Sequence, residues 1–222
     1  MSEIVKLKDV TKNYALGKTT VKALRGITVE VVSGDFIAVV GPSGSGKTTL
    51  LNVVGCLDRP TTGSVLFEGK NTSLLSRNQL ANIRRDKVGF IFQHFNLIPV
   101  LNAFENVEFP LLLKKMDKTE RNKKVTSALE RVNLQDKMER KPFELSGGEQ
   151  QRVATARALA GGPDIVLADE PTGDLDSVMG GMVIQLFKDL NKEGTTFVFS
   201  THDSEIMKHA TRVVKLHDGK IV

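Results

Sequence analysis

Eight residues, Gly41-Pro42-Ser43-Gly44-Ser45-Gly46-Lys47-Thr48, constrain this 222-residue chain more than any other stretch. They follow an apolar run, Phe36-Ile37-Ala38-Val39-Val40, and precede a helix-compatible segment, Thr49-Leu50-Leu51-Asn52-Val53-Val54. Strand, glycine-rich loop and helix in that order form the frame of a phosphate-binding loop. Gly41, Gly44 and Gly46 permit a tight turn in which successive N–H groups point inward at an anion. The following helix adds unsatisfied N–H groups and a partial positive charge, with Thr49 in its first turn. Lys47 supplies a mobile charge for the outer phosphates, and the Thr48 hydroxyl suits Mg²⁺. A merely flexible Gly/Ser turn requires neither this spacing nor this frame.

A chain of this length suits one large domain or one domain with an insertion. No stretch approaches the ~18 apolar residues that span a bilayer. Met1-Ser2-Glu3-Ile4-Val5-Lys6 lacks the apolar core of a secretory signal, so a membrane role is expected to come through a partner. Cys56 is the single cysteine, which excludes an intrachain disulfide and fits a reducing compartment. The net charge of +5 is spread, and its clusters (Arg84-Arg85-Asp86-Lys87, Arg121-Asn122-Lys123-Lys124) read as solvated helix faces. One Tyr and no Trp leave no aromatic platform among the basic residues, so no nucleic-acid partner is expected.

Along the chain, residues 3–10 and 20–32 read as strands, with Tyr14 between them in a turn-rich Asn13-Tyr14-Ala15-Leu16-Gly17. Tyr14 is either an adenine-stacking ring or an ordinary packing residue. Pro60 to Gly63 reads as a turn, 64–68 as a strand, 76–86 as a helix and 88–92 as a buried strand ending at Gln93. A side chain just past a strand end lies at the ligand-binding edge of an open α/β sheet, where Gln93 can offer its oxygen to a metal. His94 to Leu113 is apolar but broken by Pro99 and Pro110, and reads equally as core or as an exposed docking surface. Residues 118–133 form a charged helix. Leu145-Ser146-Gly147-Gly148-Glu149 opens another, expected over Glu149 to Ala160. Ser146 and Glu149 have capping-box spacing, and the two adjacent glycines exceed what a cap needs, which favours a second anion site.

A buried strand, Ile165 to Ala168, ends in Asp169-Glu170. Asp169 is placed to hold Mg²⁺, and Glu170 to polarise an attacking water. A helix over 178–192 and a strand over 196–200 lead to His202, at another strand end. Two short strands flank His217-Asp218-Gly219. Repeated strand–loop–helix order implies an α/β fold with a mainly parallel sheet and helices on both faces. Residues 95–160, without clear strands, read as a helical insertion.

These motifs, over essentially the whole chain and in one order, resemble the nucleotide-binding subunit of an ABC transporter, a P-loop NTPase. The resemblance implies one domain over 1–222, with a core of 1–94 and 161–222, an N-terminal antiparallel β part and a helical subdomain over about 95–160. Gly41 to Thr48 matches Walker A, and Gln93 matches the Q-loop glutamine. Leu145 to Glu149 matches the signature motif, and Ile165 to Asp169 matches Walker B. Glu170 matches the catalytic glutamate, Asp176 the D-loop aspartate, and His202 the switch histidine. Tyr14 sits where an adenine-stacking aromatic is expected. In two places the sequence departs from the family pattern. Glu149 stands where the signature usually has Gln, and Asp174 adds a charge to the D-loop near the expected dimer seam.

The resemblance implies two copies paired head to tail around two ATP and Mg²⁺. Lys47, Thr48, Gln93, Asp169, Glu170 and His202 of one copy would face Ser146, Gly147 and Gly148 of the other. A membrane-spanning permease would be the further partner, at the cytoplasmic face of the membrane. Val54-Gly55-Cys56-Leu57-Asp58 and Gly89 to Pro99 resemble the lipoprotein-release and macrolide-efflux group, whose pattern a cell-division group shares. That second group allows an alternative in which the ATPase regulates or tethers a complex that transports nothing. Chromosome-structure ATPases of this fold need a long coiled coil before the signature, and 93–146 is too short and lacks heptads. Soluble translation-type relatives carry two such domains, and this chain has one.

Overall fold

The computed structural model describes residues 2–17, 19–202 and 207–222. The chain opens with two long strands, β1 (Glu3–Leu16) and β2 (Thr19–Val32), paired antiparallel. β3 (Phe36–Val40) leads through the glycine-rich loop into α1 (Lys47–Val54). β4 (Thr62–Phe67), β5 (Lys70–Asn71), α2 (Arg77–Lys87) and β6 (Val88–Ile91) follow. Three helices come next: α3 (Ala103–Glu108), α4 (Lys118–Arg131) and α5 (Gly147–Leu159). β7 (Ile165–Ala168), α6 (Ser177–Lys192) and β8 (Thr196–Thr201) return the chain to the sheet. The hairpin of β9 (Arg212–His217) and β10 (Lys220–Ile221) ends it.

Two sheets result. One is four-stranded and antiparallel, in the order β2-β1-β4-β5. The other has the order β10-β9-β3-β8-β7-β6 and is parallel from β9 to β6. β7 and β8 are buried along their whole length, as expected of parallel strands covered on both faces. Strand alternation divides the parallel sheet's side chains into two cores. Ile37, Val39, Ile165 and Leu167 pack with Leu50, Leu51 and Val53 of α1. Phe36, Ala38, Val166 and Ala168 pack with Phe187 and Leu190 of α6. A third cluster joins α3, α4 and α5 through Val107, Val125, Leu129 and Val153. Among the described residues 92–164 there is no strand; the regular structure there is helical.

The structure corrects the sequence reading at three element ends. The first hairpin runs on through Asn13–Leu16, so Tyr14 is a strand residue opposite Val21 and not a turn residue. Cross-strand pairing satisfies the backbone there despite the turn-rich composition. β4 begins at Thr62, inside the expected turn, with Gly63 at φ 82 against the Asp9 carbonyl. α5 begins at Gly147, two residues before Glu149, with Ser146 as its N-cap. A Cβ on Gly148 would sit 2.1 Å from Met179 Cε. The Met179 side chain of α6 thus lies over Gly148 in the space a larger residue would need.

Candidate functional site

Because β3, β6, β7 and β8 are parallel, their C-terminal ends share one edge of the sheet. That edge receives the glycine-rich loop from β3, Gln93 from β6, Asp169 and Glu170 from β7, and His202 from β8. The loop is wedged between neighbouring main chains. A Cβ on Gly41 would meet the Leu216 carbonyl at 2.1 Å, and one on Gly46 (φ 106) would meet the Ala23 carbonyl at 2.6 Å. Only glycine fits either place. Pro42, Ser43 and Gly44 lie on the exposed outer turn of the loop. Ser45 Oγ is buried without a hydrogen-bond partner, as a group awaiting an acceptor would be.

Lys47 is almost wholly buried. Its Nζ donates to the Gly41 and Pro42 carbonyls at 2.9 and 3.2 Å, curling over its own loop. The same Nζ lies 3.6 Å from Glu170 Oε1, and His202 Nδ1 lies 3.3 Å from Glu170 Oε2. The three residues read as catalytic thus meet, with the Glu170 carboxylate bracketed by Lys47 and His202. Glu170 has φ 43, a left-handed backbone that a non-glycine residue adopts at a cost of about 1–3 kcal/mol. Ser200 helps to hold it there. Ser200 Oγ accepts from the Glu170 N–H at 2.8 Å and donates to Asp169 Oδ1 at 2.6 Å. Sequence reading missed Ser200, fully buried in an apolar strand; its one signal was a hydroxyl two residues before His202.

Tyr14 lies beside α1. Its hydroxyl donates to Asp58 Oδ2 at 2.8 Å, with Thr49 also within hydrogen-bonding reach. Burial, followed by the bond to Asp58, pushes the phenol above its ordinary pKa. Lys12 Nζ stands 4.8 Å from the ring centroid, so one face of the ring already has a cation against it. Asp58 was quoted in the sequence only as part of a family-like run, and its role as the hydroxyl's partner was not read.

At the other candidate anion site, Ser146 and Glu149 form the capping box. Glu149 Oε2 accepts from the Ser146 N–H at 3.0 Å, and Ser146 Oγ accepts from the Glu149 N–H at 3.4 Å. Lys137 pairs with Glu149 Oε1, and this bond more than any other holds the Glu149 carboxyl below the ordinary glutamate range. The extra charge of Glu149 is therefore neutralised within the chain. Gly147 packs near Leu175 and Phe95, beside the loops that follow β6 and β7.

The His94–Leu113 stretch divides. Val107 and Leu111 are core, whereas Phe109, Leu112 and Leu113 are exposed. Of the large apolar residues in 95–101, Val100 alone is exposed. The exposed apolar surface thus centres on 109–113, where Phe109 and Leu113 join Phe90, Phe92 and Arg157 around a groove of about 450 Å³. Arg157 donates to the Phe95 and Asn96 carbonyls and so pins two successive left-handed residues (φ 58 and 49) to α5.

The Thr48 hydroxyl, the Gln93 amide and the Asp169 carboxylate are hard oxygen donors of the kind Mg²⁺ takes. Among the described residues no group of three His, Cys, Asp or Glu forms a cage, which fits an ion that keeps water and phosphate oxygens as its other ligands. Cys56 takes no part in the site: it is buried, and burial pushes its thiol up to about 11.

The family model described as ABC transporter matches residues 24–173. The chain belongs to the ABC transporter family. Its relatives include an ABC transporter ATP-binding protein of Thermotoga maritima, 47% identical over 100% of this chain and 94% of that protein. The macrolide export ATP-binding/permease protein MacB of Escherichia coli is 44% identical over 100% of this chain but only 34% of its own length. The dimeric structure of MJ0796, an ABC transporter cassette, superposes with a TM-score of 0.90 at 48% identity, covering 98% of this chain and 96% of that one. A second MJ0796 structure, in a post-hydrolysis state bound to ADP and Pi, gives 0.89 at 47% identity over the same shares of each chain. The ABC cassette described here is an ATPase with a P-loop NTPase fold. Among the described residues no helix is long and apolar enough to cross a membrane.

Proposed function

We propose that two copies of this cassette close head to tail around two ATP and drive a membrane-spanning permease from the cytoplasmic face. The observation that carries this reading is the Glu170 carboxylate, held between Lys47 and His202 beside the glycine-rich loop. In that arrangement the loop N–H groups and Lys47 receive the β- and γ-phosphates. Thr48, Gln93 and Asp169 hold Mg²⁺, which offsets phosphate charge. Glu170 orients water toward the γ-phosphorus. The new P–O bond forms as the bond to the β-bridging oxygen breaks, yielding ADP and phosphate. His202 contacts the γ-phosphate, and the ring of Tyr14 meets the adenine.

The Ser146–Gly148 helix start packs against the loops after β6 and β7, whereas α1 packs on β1, β2 and β8. In the closed pair, phosphates seated on α1 take the second helix N-terminus from the other copy. The dimeric MJ0796 structures support that arrangement. The exposed apolar groove at Phe109 and Leu113 is the seat for the permease, a partner suggested by the name of MacB. Residues 95–160 act as the helical subdomain that carries the signature to the seam.

Lys47→Ala is expected to lower phosphate release more than 100-fold, because the outer phosphates lose their mobile cation. Wild-type turnover in a variant with an unchanged melting temperature would overturn the assignment.

A further inference from the structure

One carboxylate joins the loop after β6 to the loop before α6. Asp174 Oδ1 accepts from Gln93 Nε2 at 2.9 Å, and Asp174 Oδ2 lies 2.6 Å from His94 Nδ1. An ionised carboxylate only accepts, so both nitrogens are donors. The amide of Gln93 is thereby fixed: Nε2 faces Asp174, and Oε1 is left for another partner. Gly173 makes room for this packing, since a Cβ there would lie 2.9 Å from Gln93 Nε2.

We propose that Asp174 is a positioning residue for the nucleotide site, holding Gln93 so that Oε1 is presented to the divalent cation that accompanies ATP. The proposal rests on Gln93 belonging to that site. It gives the departure at Asp174 a task inside one copy, distinct from a charge at the seam between copies. A neutral side chain unable to accept a bond would leave the Gln93 amide free to turn either way.

The test uses the full chain loaded with a non-hydrolysable ATP analogue and reads Mn²⁺ affinity by electron paramagnetic resonance. Nucleotide affinity in EDTA is measured alongside. Asp174→Ala is expected to weaken Mn²⁺ binding roughly fivefold to tenfold, the size of one ordinary net hydrogen bond. Nucleotide affinity in EDTA stays unchanged. Asp174→Asn, whose Oδ1 still accepts from Gln93, recovers most of the loss. In a Gln93→Ala background, Asp174→Ala adds nothing. An undiminished effect in that background, or unchanged Mn²⁺ affinity in Asp174→Ala while Gln93→Ala weakens it, would overturn the proposal. If Gln93→Ala itself leaves Mn²⁺ binding intact, the reading of Gln93 fails, and the role of Asp174 falls with it.

Discussion

Glu170 stands in a left-handed conformation, with Lys47 3.6 Å from one carboxylate oxygen and His202 3.3 Å from the other. Both bases and the strain converge on the group that has to orient water. Glu170→Gln preserves shape and one acceptor oxygen but removes the proton acceptor. It should bind ATP normally and release phosphate at least 100-fold more slowly in single-turnover assays; rapid release would take Glu170 out of that role. Glu149 presents a different case. Its folded pKa is depressed, chiefly by Lys137, so the pair stabilises the fold above the ordinary glutamate range. That contribution fades as pH falls through the depressed value. Lys137→Met should therefore lower the melting temperature by about 1–2 °C at neutral pH, with the difference closing in acid. A difference independent of pH would assign the loss to packing. At this scale the motif residues were legible because their chemistry is tied to short spacings. Ser200, Asp58 and the Asp174 contact were not, because each acts through a partner at least 30 residues away in sequence.

The elements were legible where periodicity and chemistry agreed. β3 and β7 announced themselves as apolar runs, and the capping-box spacing of Ser146 and Glu149 marks the start of α5. Composition misled at Asn13–Gly17, where pairing with β2 overrides turn preference. The alternation of apolar and broken residues in 94–113 left two readings open, and tertiary packing divides them. Arg157, reaching from α5 to the carbonyls of Phe95 and Asn96, links the groove floor to the signature helix. Acidic substitution of Phe109 and Leu113, both exposed, should leave the basal ATPase within about twofold and abolish stimulation by the permease, since it costs no core packing. Full stimulation in the double variant would place the permease elsewhere.

At the scale of the whole molecule, parallel strands bring the loop chemistry to one edge, and α3, α4 and α5 share a separate apolar core from which the Ser146–Gly148 helix start projects. Strand order follows no local signal and depends on pairings across as many as 175 residues, such as the Phe36 carbonyl with Thr211, so the sequence offered the elements without their arrangement. The proposed nucleotide site is completed only when two copies share it. The direct measurement is the solution mass of Glu170→Gln, with and without ATP and Mg²⁺. A mass that doubles only with ATP is the predicted result, because hydrolysis is blocked while the phosphates still join the two helix N-termini. A monomer with ATP bound would contradict the shared site and leave Ser146-Gly147-Gly148 as a helix start alone.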